Sequence, residues 1–383
     1  MRMLVLGAGL QGSACAYDLL QNPAVTEVRL ADRAVAALPG FLERYRTDAR
    51  LRLVELDAKD LGAVRRTMDG TSAVMCALPY YFNLEMTRLA IDSGVHFSDL
   101  GGNTEIVQQQ KALDAQAKAK GLTIIPDCGL APGMVNILAQ LGIARSDAVT
   151  RVRIFVGGLP QSPEGPLKYQ LVYSLEGVLD YYTTLSWVVR GGKRTQVKAL
   201  SELEPVTFAE PVGMLEAFHT AGGLSTMAAR YEGKIPVMEY KTLRYPGHAH
   251  IMAAIRDLGL LDLEPLDVKG QRVVPRDVAI AAMTPHLNRP KAKDLVALRV
   301  IVEGTRGGKS ITHTWELVDR YDEGKGISAM ERTTGYSLAI TGQLQAEGAT
   351  RPAGVHTSDE CMPGERYIAE LARRGIVIHE TVS

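Results

Sequence analysis

Through the first third of the chain, short β-branched and aliphatic runs alternate with longer stretches whose apolar positions recur at three and four. The runs at 3–7, 26–31, 51–56, 72–78, 95–99 and 122–126 read as strands. The stretches 14–20, 61–68, 84–93 and 105–120 read as helices, the last closed by Gly121. Strand and helix in repeated alternation build a parallel sheet covered on both faces.

After Pro132-Gly133 the texture changes: runs lengthen, turn signals multiply and the alternation stops. Residues 152–156 and 171–173 read as strands, and 187–190 runs into a Gly191-Gly192 hairpin. A second hairpin joins 298–302 to 311–317 through Gly307-Gly308. Helical stretches at 249–258 and 278–286 are available to cover one face, so this half reads as α+β with a mixed sheet. A further helix over 334–345, closed by Gly348, can return to the first half.

The sharpest local signal is Gly7-Ala8-Gly9-Leu10-Gln11-Gly12, directly after the first strand and before a helical pattern. In a dinucleotide loop the first glycine makes the turn, the second lets backbone approach a pyrophosphate, and the third lets helix and strand pack closely. Asp32 follows about 20 residues later at the end of the next strand, where a carboxylate bonds the adenosine ribose hydroxyls. That carboxylate favours NAD over NADP, although the adjacent Arg33 can offset its repulsion of a 2′-phosphate or stack on adenine. Asp57 can reach adenine or cap the helix at 61–68, and Ala77-Leu78-Pro79 can lie along the nicotinamide side. The expected fold class is α/β: a Rossmann dinucleotide-binding domain of 1–132 rejoined by 331–383, and an α+β substrate and dimerisation domain of 133–330.

Composition narrows the function classes. A length of 383 residues suits about two domains. The 43 Lys and Arg balance the 43 Asp and Glu, which removes the electrostatic drive toward nucleic acid or an acidic membrane. Cys15, Cys76, Cys128 and Cys361 form no C-x-x-C pair, which argues against a disulfide framework or zinc knuckle and for a reducing cytoplasm. Gly7 interrupts the N-terminal apolar run before a signal-peptide core is complete, and no run reaches membrane-spanning length. His248-Ala249-His250 lacks a marked third ligand, so no metal is expected.

At Asp127-Cys128-Gly129-Leu130-Ala131-Pro132-Gly133-Met134 the sequence resembles the loop leaving the dinucleotide domain in saccharopine dehydrogenase/reductase-like proteins. Gly157-Gly158-Leu159-Pro160, Pro166 to Tyr169 with Ser174 and Gly177, and Thr242 to Gly247 follow in that family's order. Within the family, Ser174 to Gly177, Leu215 to Thr220 and Glu331 to Thr334 are more similar to its lysine 6-dehydrogenase branch. The saccharopine reductases carry Asp where Ala131 stands, His where Asn136 stands, and an Asn-Arg pair near Ala221-Gly222. An arginine is the natural partner of a second carboxylate, so its loss points to a smaller substrate.

The resemblance implies NAD-dependent oxidative deamination of L-lysine at its ε-carbon, releasing ammonia and an aldehyde that cyclises. Arg244 is the candidate for the α-carboxylate, or a structural ion pair, and Lys241 is the alternative cation, or a solvent-facing strand lysine. His219, placed at the end of an apolar helical stretch, is the candidate acid/base, or a hydrogen-bonded core histidine. Asp99, Asp127 and Glu176 are unranked alternatives for base or amine partner. Tyr169, with Tyr80, Tyr81, Tyr181 and Tyr182, can line the pocket or pack in the core. Two other activities stay open: reductive condensation of the saccharopine or carboxynorspermidine type, and NAD binding without turnover in a regulatory protein. Exposed sheet edges favour a homodimer or higher homo-oligomer.

Overall fold

The computed structural model describes residues 1–172, 174–289 and 292–383. The first half forms the strands β1 (Arg2–Leu6), β2 (Glu27–Asp32), β3 (Leu51–Glu55), β4 (Ala73–Cys76), β5 (His96–Asp99) and β6 (Thr123–Ile125). In the second half come β7 (Ala148–Pro160), β8 (Ser186–Arg190), β9 (Lys193–Val197), β10 (Glu204–Thr207), β11 (Met214–His219) and β12 (Val237–Arg244). They are followed by β13 (Leu266–Val268), β14 (Gln271–Val273), β15 (Asp294–Arg306), β16 (Lys309–Arg320), β17 (Gly354–Val355) and β18 (His379–Val382).

Among the described residues the first sheet has the order β17-β6-β5-β4-β1-β2-β3, parallel throughout. Met3 to Leu6 and Ala73 to Cys76 are buried at every position because helices cover both faces, which is why these strands read as unbroken apolar runs. The strand order reverses between β1 and β4, and that switch point opens the crevice where such sheets bind ligands. The fold is α/β, Rossmann-like, with a second mixed-sheet domain.

The helix at 105–120 divides into Thr104–Lys111 and Asp114–Ala119. Two anchors account for the break. The Gln110 amide is drawn inward to donate to Asp99 and Thr87, while the Asp114 carboxylate accepts the Val355 amide of β17 at 3.0 Å.

The second sheet runs β10-β11-β12-β7-β15-β16-β18, with β8 joining β12 to β9. Only β12 and β7 pair in parallel there, among the described residues. Both glycine hairpins form, between β8 and β9 and between β15 and β16. Tyr173 of the expected strand at 171–173 lies outside the described residues; Leu171 and Val172 are in loop. The helices Leu175–Thr183, His248–Asp257 and Pro275–Leu287 share an apolar cluster with Phe218 over one face. Residues 215–218, expected as a helix, are strand β11, whose pairing with β10 and β12 overrides local helix propensity.

From residue 331 onward the chain serves both sheets. The helix Ala329–Ala346, capped by Ser328 and Glu331, lies along the helix Leu10–Gln21. A Cβ on Gly335 would sit 2.7 Å from that of Ala14, so the small residue sets the approach. The Gln345 amide donates to the carbonyls of Phe97 and Thr123, β17 extends the first sheet, and β18 extends the second. Among the described residues no helix is long and apolar enough to cross a membrane.

Candidate active site

The glycine loop is built by exclusion. Gly7 takes φ +98°, a left-handed value glycine adopts freely, and a Cβ there would lie 3.0 Å from the Ala77 carbonyl. A Cβ on Gly12 would lie 1.8 Å from the Gly7 carbonyl oxygen, so only glycine lets the helix start this close to the turn. Around Gly9, by contrast, a Cβ would meet nothing within 4 Å. Gly9 precedes the helix Leu10–Gln21, and the half-exposed Leu10 opens its first turn. Gln11 Oε1 is buried there without a hydrogen-bond partner among the described residues. Open space before a helix N-terminus fits a pyrophosphate, and the orphaned Oε1, an acceptor, fits a hydroxyl or carboxamide donor elsewhere on a dinucleotide.

Asp32 closes β2 and accepts hydrogen bonds from the amides of Ala8 at 2.8 Å and Ala34 at 3.0 Å. Arg33 beside it is exposed. Asp57 is exposed beyond β3 and accepts the Lys59 amide, while the helix cap expected of it belongs to Asp60. Ala77 follows β4 and donates its amide to the Leu6 carbonyl, which brings Ala77, Leu78 and Pro79 alongside the loop.

Between the two sheets lies a cavity of about 220 Å³. Gln11, Leu100 and Gly101 wall it on the cofactor side, and Gly129 to Pro132 form its rim. That rim is a tight turn: a Cβ on Gly133 would fall 2.1 Å from the Gly129 carbonyl oxygen. From the second sheet come Gly157, Gly158, Tyr240, Thr242 and Arg244, joined by the turn Thr220 to Gly222. Arg244 is 4% exposed, donates to the Leu243 carbonyl at 2.9 Å and lies over the Tyr169 ring at 4.8 Å. Thr220 and Thr242 share a 2.7 Å hydroxyl contact. Tyr169 is buried beneath Arg244 and does not line the cavity, and burial pushes its hydroxyl pKa up.

Two carboxylates stand behind the cofactor-side wall. Asp99, at the end of β5, accepts the Gly101 amide and the Gln110 amide at 2.7 Å each; burial pushes its pKa up to about 6. Asp127 is 2% exposed and holds φ +61°. Burial pushes it up to about 7, against the opposing pull of the Ser225 hydroxyl that donates to its Oδ2. A Cβ on Gly101 would overlap Asp127 Oδ1, so one residue without a side chain separates that oxygen from the cavity.

Strand parity sends His219 and Lys241 elsewhere. They pair across β11 and β12, and Lys241 alternates with Tyr240 and Thr242, whose side chains face the cavity. His219 instead contacts the Tyr240 carbonyl and Glu202, and burial lowers its pKa; Lys241 bonds Glu204. Neither side chain lines the cavity: His219 takes the alternative place of a hydrogen-bonded core histidine, and Lys241, buried against Glu204, is neither the cavity's cation nor a solvent-facing lysine. Glu202, His219 and Glu239 approach one another closely enough for a metal, but Arg190 bridges both carboxylates at 2.7 and 2.8 Å. Glu176 is exposed on the helix Leu175–Thr183, away from the cavity lining.

Sequence reasoning missed Ser225, Thr220, Thr242, Tyr240 and the role of Asn136. The Asn136 side chain accepts the Gly133 amide and donates to the Gly223 carbonyl, tying the rim to the facing turn. The one local signal there was Ala221-Gly222-Gly223, a run of small residues that marks a tight turn.

The saccharopine dehydrogenase [NADP(+), L-glutamate-forming] of Pyricularia oryzae is 25% identical over 222 residues, 55% of this chain and 48% of that protein. This chain therefore spans about half of that relative's length. The carboxyaminopropylagmatine dehydrogenase of a Synechocystis strain aligns end to end, 20% identical over 100% of this chain and 98% of its own. The apo saccharopine dehydrogenase (L-Glu forming) of Saccharomyces cerevisiae shares the fold with a TM-score of 0.80 at 20% identity, covering 100% of this chain and 99% of that one. Residues 3–125 match the saccharopine dehydrogenase NADP binding domain and 129–376 the saccharopine dehydrogenase C-terminal domain. The dinucleotide loop and the cavity rim fall within these two matches, and the chain belongs to the saccharopine dehydrogenase family.

Proposed function

We propose that the protein is an NAD-dependent dehydrogenase that deaminates L-lysine at its ε-carbon. The observation that carries this reading is the charge of the cavity. Arg244 is the one cationic side chain among its described lining residues, and no carboxylate lines it. A single buried guanidinium suits a substrate with one carboxylate, and the turn at Ala221-Gly222 offers no second cation for another.

Residues 1–132, with the segment from 331, supply the cofactor side, and 133–330 the substrate side. Gly7, Gly9 and Gly12 with the first turn at Leu10 and Gln11 cradle the dinucleotide phosphates. Asp32 takes the ribose hydroxyls and disfavours a 2′-phosphate, which supports NAD although the matched family model is named for NADP. Bound there, NAD would accept the hydrogen and electron pair leaving the substrate ε-carbon.

Arg244 anchors the α-carboxylate, and the hydroxyls of Thr220, Thr242 and Tyr240 orient the chain toward Gly101. Asp127, one glycine behind the cavity wall, receives the released proton at Oδ1 through a water, that oxygen having no hydrogen-bond partner among the described residues. Its raised pKa suits a group that must hold a proton near neutrality. Loss of hydrogen from Cε leaves an imine; water adds, ammonia leaves and the aldehyde remains. Formation of NADH and ammonia from lysine and NAD, with no second carbon substrate, tests the assignment.

The end-to-end likeness to the Synechocystis dehydrogenase favours a second reading, reductive condensation of an amine with an aldehyde. That activity consumes NADH or NADPH only when both carbon substrates are present.

A further inference from the structure

Two buried residues from opposite sides of the cleft share an uncommon backbone conformation and one hydrogen bond. Asp127 follows β6, and Ser225 ends the turn that lines the cavity at Thr220 to Gly222. Their φ values are +61° and +50°, and they are 2% and 7% exposed. Left-handed backbone is costly for a residue with a Cβ, and serine gains less there than asparagine or glycine. Such strain persists where surrounding structure enforces it, and here Asp127 and Ser225 are held to each other beside the cavity.

The surroundings show what the contact holds. Asp127 packs against Gly101 on the cofactor-side wall, while Ser225 fixes the turn bearing Thr220, Ala221 and Gly222. Asn136 holds the same turn through the Gly223 carbonyl. Facing Asp127 are Asp99 at the end of β5, Asp359 of the helix Ser358–Cys361, Tyr181 of the helix Leu175–Thr183, and its neighbour Cys128. Asp359 is bridged by Arg230, so its charge is offset. The Ser225 hydroxyl is the hydrogen-bond donor to Asp127, and the nearby Gly102 amide also favours its ionised form.

We propose that Ser225 is a positioning residue: its hydroxyl, donated across the cleft, orients the Asp127 carboxylate and sets the pH at which that carboxylate accepts a proton. This rests on the role assigned to Asp127 above. A hydrogen bond to a charged group lowers a carboxyl pKa, so losing the Ser225 hydroxyl raises it and moves the acid limb of activity to higher pH.

The test uses Ser225→Ala and Ser225→Gly in the full chain. Glycine relieves the left-handed strain, so a variant that folds is secured even where alanine is poorly tolerated. The Asp127 carboxyl is titrated by NMR in free protein carrying ¹³C-labelled aspartate, with Asp127→Asn for assignment, and the pH profile of kcat/KM for lysine is measured alongside. Both variants are expected to raise the Asp127 titration and the acid limb together by roughly one pH unit, with NAD affinity unchanged. An unmoved carboxyl titration overturns the proposal. So does a moved titration that the acid limb does not follow. The titration needs no substrate, so inactivity toward lysine would count against the lysine assignment separately.

Discussion

The Ala8 amide donates to Asp32 Oδ2 at 2.8 Å, tying the glycine turn to the end of the neighbouring strand. One carboxylate thereby shapes the loop and, in the proposed reading, takes the ribose hydroxyls. Asp32→Ser should weaken NAD about tenfold or more and narrow the preference for NAD over NADP, measured as Kd for each. An unchanged ratio would transfer the choice to Arg33.

Gly9 and Gly12 should separate cofactor binding from stability. Alanine at Gly12 forces the helix off the Gly7 carbonyl and should cost about 1–3 kcal/mol in thermal or denaturant unfolding. Alanine at Gly9 meets open space at an ordinary φ of −70°, so the melting temperature should hold while NAD affinity falls. Equal loss of stability in both variants would place the role of Gly9 in folding.

Arg244→Ala should raise KM for lysine about 100-fold, a loss of about 3 kcal/mol for a charge-assisted pair, with KM for NAD little changed. The buried guanidinium also stacks on Tyr169, so Arg244→Lys, which keeps charge without the planar fork, should recover only part of the affinity. A parallel rise in both KM values would make Arg244 structural.

Asp127 should make stability fall as pH rises. Its folded pKa, pushed up to about 7, lies above the value of an unfolded aspartate, so the folded chain holds a proton that the unfolded chain releases from about pH 4 upward. The resulting penalty grows across that window and levels off above pH 7. Asp127→Asn, which tolerates left-handed φ, should therefore gain up to a few kcal/mol relative to the native protein at pH 8 and much less at pH 4. Melting curves at the two pH values check this, and a pH-independent difference would contradict it.

The nucleotide-side architecture was legible because each of its signals is local: a buried parallel strand is an apolar run, and Gly12 records a close approach in the residue itself. His219 and Lys241 show where local signals end. Which face a strand residue takes depends on β11 and β12 being strands in one register, and the stretch 215–218 reads as a helix until tertiary pairing decides it. Ser225 was hidden for a different reason: its partner Asp127 lies 98 residues earlier, and serine does not announce left-handed backbone. Arg244 stood out through its motif, and the structure shows it in the cavity wall.

The most direct measurement is NAD reduction at alkaline pH across a panel of single amino acids, with ammonia assayed in the same samples. Alkaline conditions supply the neutral ε-amine, whose free pKa is near 10.4. NADH and ammonia formed in equal amounts from lysine alone is the predicted result. No NADH with lysine, together with NADH oxidation once an amino compound and an aldehyde or keto acid are supplied jointly, would contradict deamination and make the protein a condensing reductase.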